Sequence, residues 1–236
     1  MNALLHQADS RGRADYGWLK TRYTFSFADY HDRSRVHFGA LRVLNDDWIK
    51  GGTGFDMHPH DNMEIITIIR NGELLHEDSM GHTEVLRSND VQVMTAGTGI
   101  FHAERNNLSD HPVELFQIWI FPREKNLKPR YDQKGFDPGG RKNRWQTFAS
   151  PGEDGTLLIN QEAWLSMTSL EQGEDIIYRF HKEKQGAYLF VIEGSLSIGE
   201  LNVNRRDGIG IMEPLEILIN AQTDAEVLAI EIPMTS

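Results

Sequence analysis

The chain contains no cysteine. Disulfides and thiolate chemistry are therefore excluded, and any metal must be held by histidine, carboxylate or water. It also lacks long hydrophobic runs. The longest, such as Tyr188–Ile192, are strand-length and far short of the roughly 20 apolar residues of a membrane helix, so no membrane span is expected. Positive charge is scarce, with 24 Lys and Arg against 35 Asp and Glu, a net charge of −11. A nucleic-acid backbone is a poor direct partner for such a surface, because phosphate binding needs a concentrated basic face. The N-terminal Met-Asn-Ala-Leu-Leu-His-Gln has no basic stretch leading into an apolar core, so no secretory signal is visible and a cytoplasmic protein is the expectation. Nowhere does a helical stripe persist for twelve residues.

What is present reads as strands. Tyr23, Phe25 and Phe27 alternate with Thr24 and Ser26, the period of a half-buried strand. Glu64–Arg70 is rich in β-branched residues and is followed by Asn71-Gly72, a hairpin turn pair. Val91–Thr95 and Leu115–Phe121 are further strands, and Pro122 ends the second of these. Turn signals recur about every ten residues, the spacing of an antiparallel sandwich or barrel. Residues 121–144 hold several prolines and glycines without periodicity and read as a connection. Strand-like segments then resume to the end. The fold class expected is all-β, with an N-terminal barrel over 1–130, a linker over 131–144 and a C-terminal barrel over 145–236.

The halves resemble each other. Tyr188–Gly194 lies on Ile66–Gly72 with the turn glycines matched, and Arg206–Met212 lies on Ser88–Met94. In that alignment Phe180 and Lys182 stand where His58 and His60 stand in the first half. Nine of the ten histidines lie between His6 and His111, so only the first half can carry a histidine-rich centre. An N-terminal segment exchanged onto the second barrel is compatible with the sequence.

Two segments concentrate the chemistry, Gly52–Glu64 with His58-Pro-His60, and Gly97–Asn106 with His102 and Glu104. Side chains two apart on a strand share a face, so each pair points one way. Facing strands then supply three imidazoles and at least one carboxylate to a single ion. Donors of this kind suit Fe(II), Mn(II), Ni(II), Cu(II), Co(II) or Zn(II). Glu64 has the same parity as His58 and His60 and reads as ligand, as a partner fixing a histidine, or as a buried strand residue. His76, His82 and His111 sit in turn-like or charged contexts and read as solvated. His181 reads as a surface residue, and His31 and His37 as peripheral.

These segments resemble the two cupin motifs, G-x5-H-x-H-x3/4-E-x6-G and G-x5-P-x-G-x2-H-x3-N. Gly52, His58, His60 and Glu64 fit the first, although seven residues separate Glu64 from Gly72. Gly99, His102 and Asn106 fit the second, with Gly97 in place of the proline. His-Pro-His, the stretch Met94–Glu104, Glu77–Gly81 and the N-terminal Ala14–Leu19 resemble the pirin family in particular. That resemblance implies two tandem cupin barrels of the double-stranded β-helix or jelly-roll type, with Fe(II) in the first. The ligands it implies are His58, His60, His102 and Glu104, leaving Glu64 to support them. It further implies either a quercetin 2,3-dioxygenase-like activity on a planar flavonol with O2, or a redox sensor acting through a protein partner. For the enzyme reading, Glu104 would also be the general base. Phe55, Met57, Met63, Phe101 and Phe116 are the candidates for an apolar pocket, with barrel core the competing role for each. A monomer is expected.

Overall fold

The computed structural model describes residues 2–212 and 215–234. It contains two seven-stranded and two four-stranded antiparallel sheets, apart from one short parallel pairing of Gln146–Ser150 with Leu157–Leu158. In the first barrel the large sheet runs Arg130–Gly135, Asp90–Thr95, Glu64–Asn71, Val113–Ile120, Leu41–Ile49, Leu19–Tyr23 and Gly12–Asp15 in spatial order. Its small sheet runs Gly54–His60, Ile100–Asn106, Glu73–Asp78 and Thr83–Arg87. The second half repeats the plan, as the matched turns require: Gly72 and Gly194 both sit at positive φ, +82° and +79°. The fold is thus all-β with two barrels, as the sequence indicates.

The two large sheets pack against each other. Ile66, Ile68, Phe116 and Ile118 from the first meet Tyr188, Phe190, Leu228 and Ile230 from the second in one core. Strand Glu64–Asn71 is buried on both faces, the even residues toward this shared core and Ile65, Thr67 and Ile69 toward the interior of their own barrel. This is why it reads as an unbroken apolar run.

The domain limits shift at both ends of the first barrel. Strand Asn2–His6 pairs with Gly208–Met212 and so extends the large sheet of the second barrel. Gly208 and Gly210 make room there, because a Cβ on either would press into the ring of Tyr188 or Phe38. The expected linker is not a linker at its start. Arg130–Gly135 is an edge strand paired to Asp90–Thr95, with Tyr131 and Gln133 facing inward. With only Tyr131 and Gln133 alternating inward, the pattern is too short to stand out among the surrounding prolines and glycines. The Pro138–Arg141 turn follows, and its Arg141 guanidinium is buried against Glu226 at 2.9 Å.

His6 anchors the exchanged strand through its Nδ1, 2.9 Å from the fully buried Tyr188 hydroxyl. Burial holds the His6 imidazole well below its usual range, at about 4, so the ring is neutral near pH 7. His6→Ala is therefore expected to leave the Tyr188 hydroxyl unpartnered, at a cost of about 1–3 kcal/mol. A thermal melt should show a Tm drop of about 2–4 °C per kcal/mol for a chain of this size.

Candidate metal centre

His58, His60 and His102 converge in the first barrel. Their ring centroids are 4.5–4.8 Å apart, and one donor atom from each lies within 4.8 Å of the others. The strands explain the convergence. His58 lies directly opposite His102, and His60 opposite Ile100. Beyond His58 the pairing slips, so that Phe55 opposes Glu104. Asp56 and Met57 thus face a single residue, Ala103, which is a β-bulge. The bulge turns Phe55 inward and leaves Asp56 and Met57 exposed.

The imidazoles are prepared to act as ligands. His58 donates its Nδ1–H to the Asp56 carbonyl at 2.7 Å, and since a carbonyl only accepts, its Nε2 lone pair is left free. His102 is buried and its Nδ1 has no hydrogen-bond partner. Burial is the main reason that His60 is held at about 4 and His102 at about 3; neighbouring imidazoles lower both further. Neutral rings keep lone pairs available at pH 7. The edge of His60 packs on Trp119, centroids 4.9 Å apart. Three converging imidazoles, one carrying an unpartnered buried nitrogen, beside a buried carboxylate fit a divalent transition ion.

Glu104 is that carboxylate. Its Oε1 accepts from Thr67 Oγ1 and Gln92 Nε2, both at 3.3 Å, and its Oε2 from Gln117 Nε2 at 3.0 Å. These donors belong to one transverse row of inward side chains. Cross-strand pairing aligns Tyr23, Asn45, Gln117, Thr67, Gln92 and Gln133 across six strands. Each of Thr67, Gln92 and Gln117 interrupts an apolar run, which is the signal of this row in the sequence. In the second barrel the corresponding interior is filled by Leu189, Val191, Leu196, Ile209, Ile211 and Ile219. Among the described residues, both clusters of three or more metal-capable side chains lie in the first barrel.

Several expected roles are corrected. Glu64 does not support the histidines. It is fully buried at the junction of the barrels, where its Oε2 accepts from Thr95 Oγ1 at 3.0 Å and from the Asn160 amide at 3.1 Å. It lies on the even, inter-barrel face of its strand. Phe116 is in the shared core against Phe190, centroids 5.5 Å apart, and lines no pocket. Met57 and Phe101 are 53% and 52% exposed and project outward from the small sheet. Phe55 does reach the site, with its ring 6.2 Å from that of His58, and Met63 packs in the Ile65 cluster beside Trp119. His76, expected in solvent, is completely buried. It stands opposite Glu104, with its ring stacked on Tyr131 at 4.4 Å. His82 is only partly exposed, and its Nδ1 meets Asp78 at 2.8 Å. His111 is exposed beside Asp110. His181 is at the surface but tied to the buried Glu231 at 2.7 Å.

Asp47 faces the same barrel interior. Burial is the main cause of its carboxyl being pushed up to about 7, and the carboxylates of Asp46 and Glu104 add to it. The folded value lies above the unfolded one, so the folded chain binds the extra proton between about pH 4 and 7. Stability should fall as pH rises through that window, by up to about 1.4 kcal/mol per pH unit from this group. Asp47→Asn should flatten that slope in denaturant titrations of metal-free protein.

Two barrels of paired sheets, one of them lined by histidines and a carboxylate, define a bicupin whose first half holds a candidate metal centre. The chain belongs to the pirin family. The pattern described as Pirin matches residues 5–120, and that described as Quercetinase C-terminal cupin domain matches residues 147–232. A protein of Escherichia coli K12 named quercetin 2,3-dioxygenase is 40% identical over 230 residues, covering 97% of this chain and 98% of that one. A pirin-like protein of Caulobacter vibrioides is 41% identical over 225 residues, covering 94% and 96%. The crystal structure of the bacterial pirin YhhW of E. coli in complex with nickel(II) superposes with a TM-score of 0.93 at 37% identity, covering 98% of this chain and 99% of that one. No helix among the described residues is long and apolar enough to cross a membrane.

Proposed function

We propose that the chain is a metal-dependent dioxygenase of the quercetin 2,3-dioxygenase type, opening the heterocycle of a flavonol with O2 and releasing carbon monoxide. The proposed ion is Fe(II), held by His58, His60, His102 and Glu104. The observation that carries the reading is the set of three converging imidazoles beside a buried carboxylate that has only neutral hydrogen-bond donors around it. A relative named quercetin 2,3-dioxygenase, aligned along nearly the whole chain, supplies the substrate class. When bound, the ion is a Lewis acid that makes a hydroxyl group attached to it more acidic.

The chain's own residues do the rest. Gln117, Gln92 and Thr67 fix the Glu104 carboxylate in one orientation, so it is placed to take the proton of the flavonol 3-hydroxyl as general base. Trp119 and Phe55 flank the histidines and offer flat apolar surface to a planar ring system. The test is anaerobic reconstitution with each first-row divalent ion, followed by oxygen uptake and loss of flavonol absorbance. Fully metallated protein that turns over no flavonol would sink the proposal.

A second reading has an observation of its own. Met57 and Phe101 are exposed on the strands that carry His58 and His102, an arrangement suited to a redox sensor whose protein partner reads the state of the centre. It requires the partner to discriminate the ferric from the ferrous form by about 1 kcal/mol or more. Equal affinity for both forms would eliminate it.

A further inference from the structure

We propose that His76 is an additional metal ligand, so that the centre offers two overlapping donor sets at different depths. The outer set is the one proposed above, in which the half-buried pair His58 and His60 joins His102 and Glu104, and the wholly buried inner set combines His76 with the same His102 and Glu104. The proposal rests on the reading of the first barrel as a metal centre.

Three observations carry it. First, one donor atom from each of His76, His102 and Glu104 lies within 4.8 Å of the others, and all three residues are buried. In this structure the Glu104 carboxylate clusters with His76 and His102, whereas the other cluster holds imidazoles alone. Second, His76 has the hydrogen-bonding pattern of a ligand. Its Nε2 is 3.2 Å from the Asp78 carboxylate, while its Nδ1 is buried and has no partner. A neutral ring that donates Nε2–H to a carboxylate presents Nδ1 as a bare lone pair, the carboxylate–histidine–metal arrangement common to metal sites. An unpartnered buried nitrogen alone does not mark a ligand, since the strand-anchoring His6 also leaves its Nε2 unmet; His76 differs in having donor atoms of His102 and Glu104 within 4.8 Å. Third, the ring is held in place. It stacks on Tyr131 at 4.4 Å, and Tyr131 donates to Gln133 at 2.7 Å. Asp78 is itself fixed by the Met80 and His82 amides at 2.9 and 3.1 Å and by His82 Nδ1 at 2.8 Å. Nothing else in the centre uses the His76 lone pair.

The donor chemistry, two imidazoles and a carboxylate in a closed interior, suits a divalent first-row ion. The inner set shares His102 and Glu104 with the outer one, so a single ion takes one depth or the other. It would therefore retain an ion when the outer pair is removed.

The experiment uses Co(II), whose visible absorption reports the number and kind of donors, with affinity measured on the metal-free full-length chain. Wild type, His58→Ala/His60→Ala, His76→Phe and the triple variant are compared. His76→Phe keeps an aromatic ring against Tyr131, and His76→Gln serves as a second replacement. Thermal melts without metal identify folded variants. The expected result is that the outer-pair variant still binds one Co(II), more weakly than wild type, and that adding His76→Phe abolishes this binding. In the otherwise intact chain His76→Phe and His76→Gln should alter the Co(II) spectrum. A folded outer-pair variant that binds no Co(II), or binds it equally well with and without His76, overturns the inner site. Should that variant not fold, an unchanged spectrum in both single His76 variants overturns it instead. A supporting role alone would lower affinity by about 10–100-fold without giving the outer-pair variant any binding. Failure of wild type to bind Co(II) at all is a distinct outcome, which overturns the metal centre itself.

Discussion

His102→Ala is expected to empty the centre while leaving the fold standing. His102 is the donor common to both clusters of ligand-capable side chains, so its loss leaves neither cluster with three donors. Affinity for a divalent ion should fall by well over the roughly 10–100-fold that follows loss of a group merely supporting a ligand, and flavonol turnover should fall with it. The metal-free protein should be affected much less, because the His102 Nδ1 has no hydrogen-bond partner to leave behind. The clearest signature is in metal-induced stabilisation. An ion at 100 times its dissociation constant adds about 2.7 kcal/mol to the folded state, and His102→Ala should lose that increment. Melts with and without added metal, run beside elemental analysis, check both parts. Equal metal-induced shifts in wild type and variant would refute the assignment.

Phe116→Ala should do the reverse. The ring is fully buried between the barrels, against Phe190, and the guanidinium groups of Arg70 and Arg206 lie over it at 5.9 and 5.1 Å. Truncation leaves a cavity at the contact that joins the two large sheets, at a cost of about 3–5 kcal/mol. It also removes the surface on which two partly buried cations rest. Denaturant unfolding should show a lower midpoint, and metal stoichiometry at 25 °C should match wild type. A loss below about 1 kcal/mol would mean that the barrels are not held together through this core.

The contrast between these residues shows which parts of the molecule local sequence can reveal. The all-β class, the repeated halves and the facing His58-Pro-His60 and His102 segments were legible because alternation and turn glycines are short-range signals. Phe55 and Met57 were both named as pocket candidates, although strict alternation puts both on the face away from His58. Only the bulge at Asp56 and Met57, which position along a strand does not reveal, turns Phe55 inward while Met57 stays exposed. Glu64 was misread for a related reason. Its strand is buried on both faces, so nothing in the pattern distinguishes the barrel interior from the contact with the other barrel. His76 lies between Glu73 and the acidic pair Glu77-Asp78, which suggested solvent; yet His76 and Asp78 face inward together while Glu77 alternates away. The pairing of Asn2–His6 with Gly208–Met212 joins the two ends of the chain, and no local pattern encodes it.

Anomalous X-ray diffraction at the absorption edge of the bound ion, from crystals of the metallated full-length protein, tests the central claim most directly. The prediction is one strong peak inside the first barrel, at about 2.0–2.2 Å from an imidazole nitrogen of His102 and of its neighbouring histidines, and none in the second barrel. A stoichiometric peak remote from His102 would contradict the account.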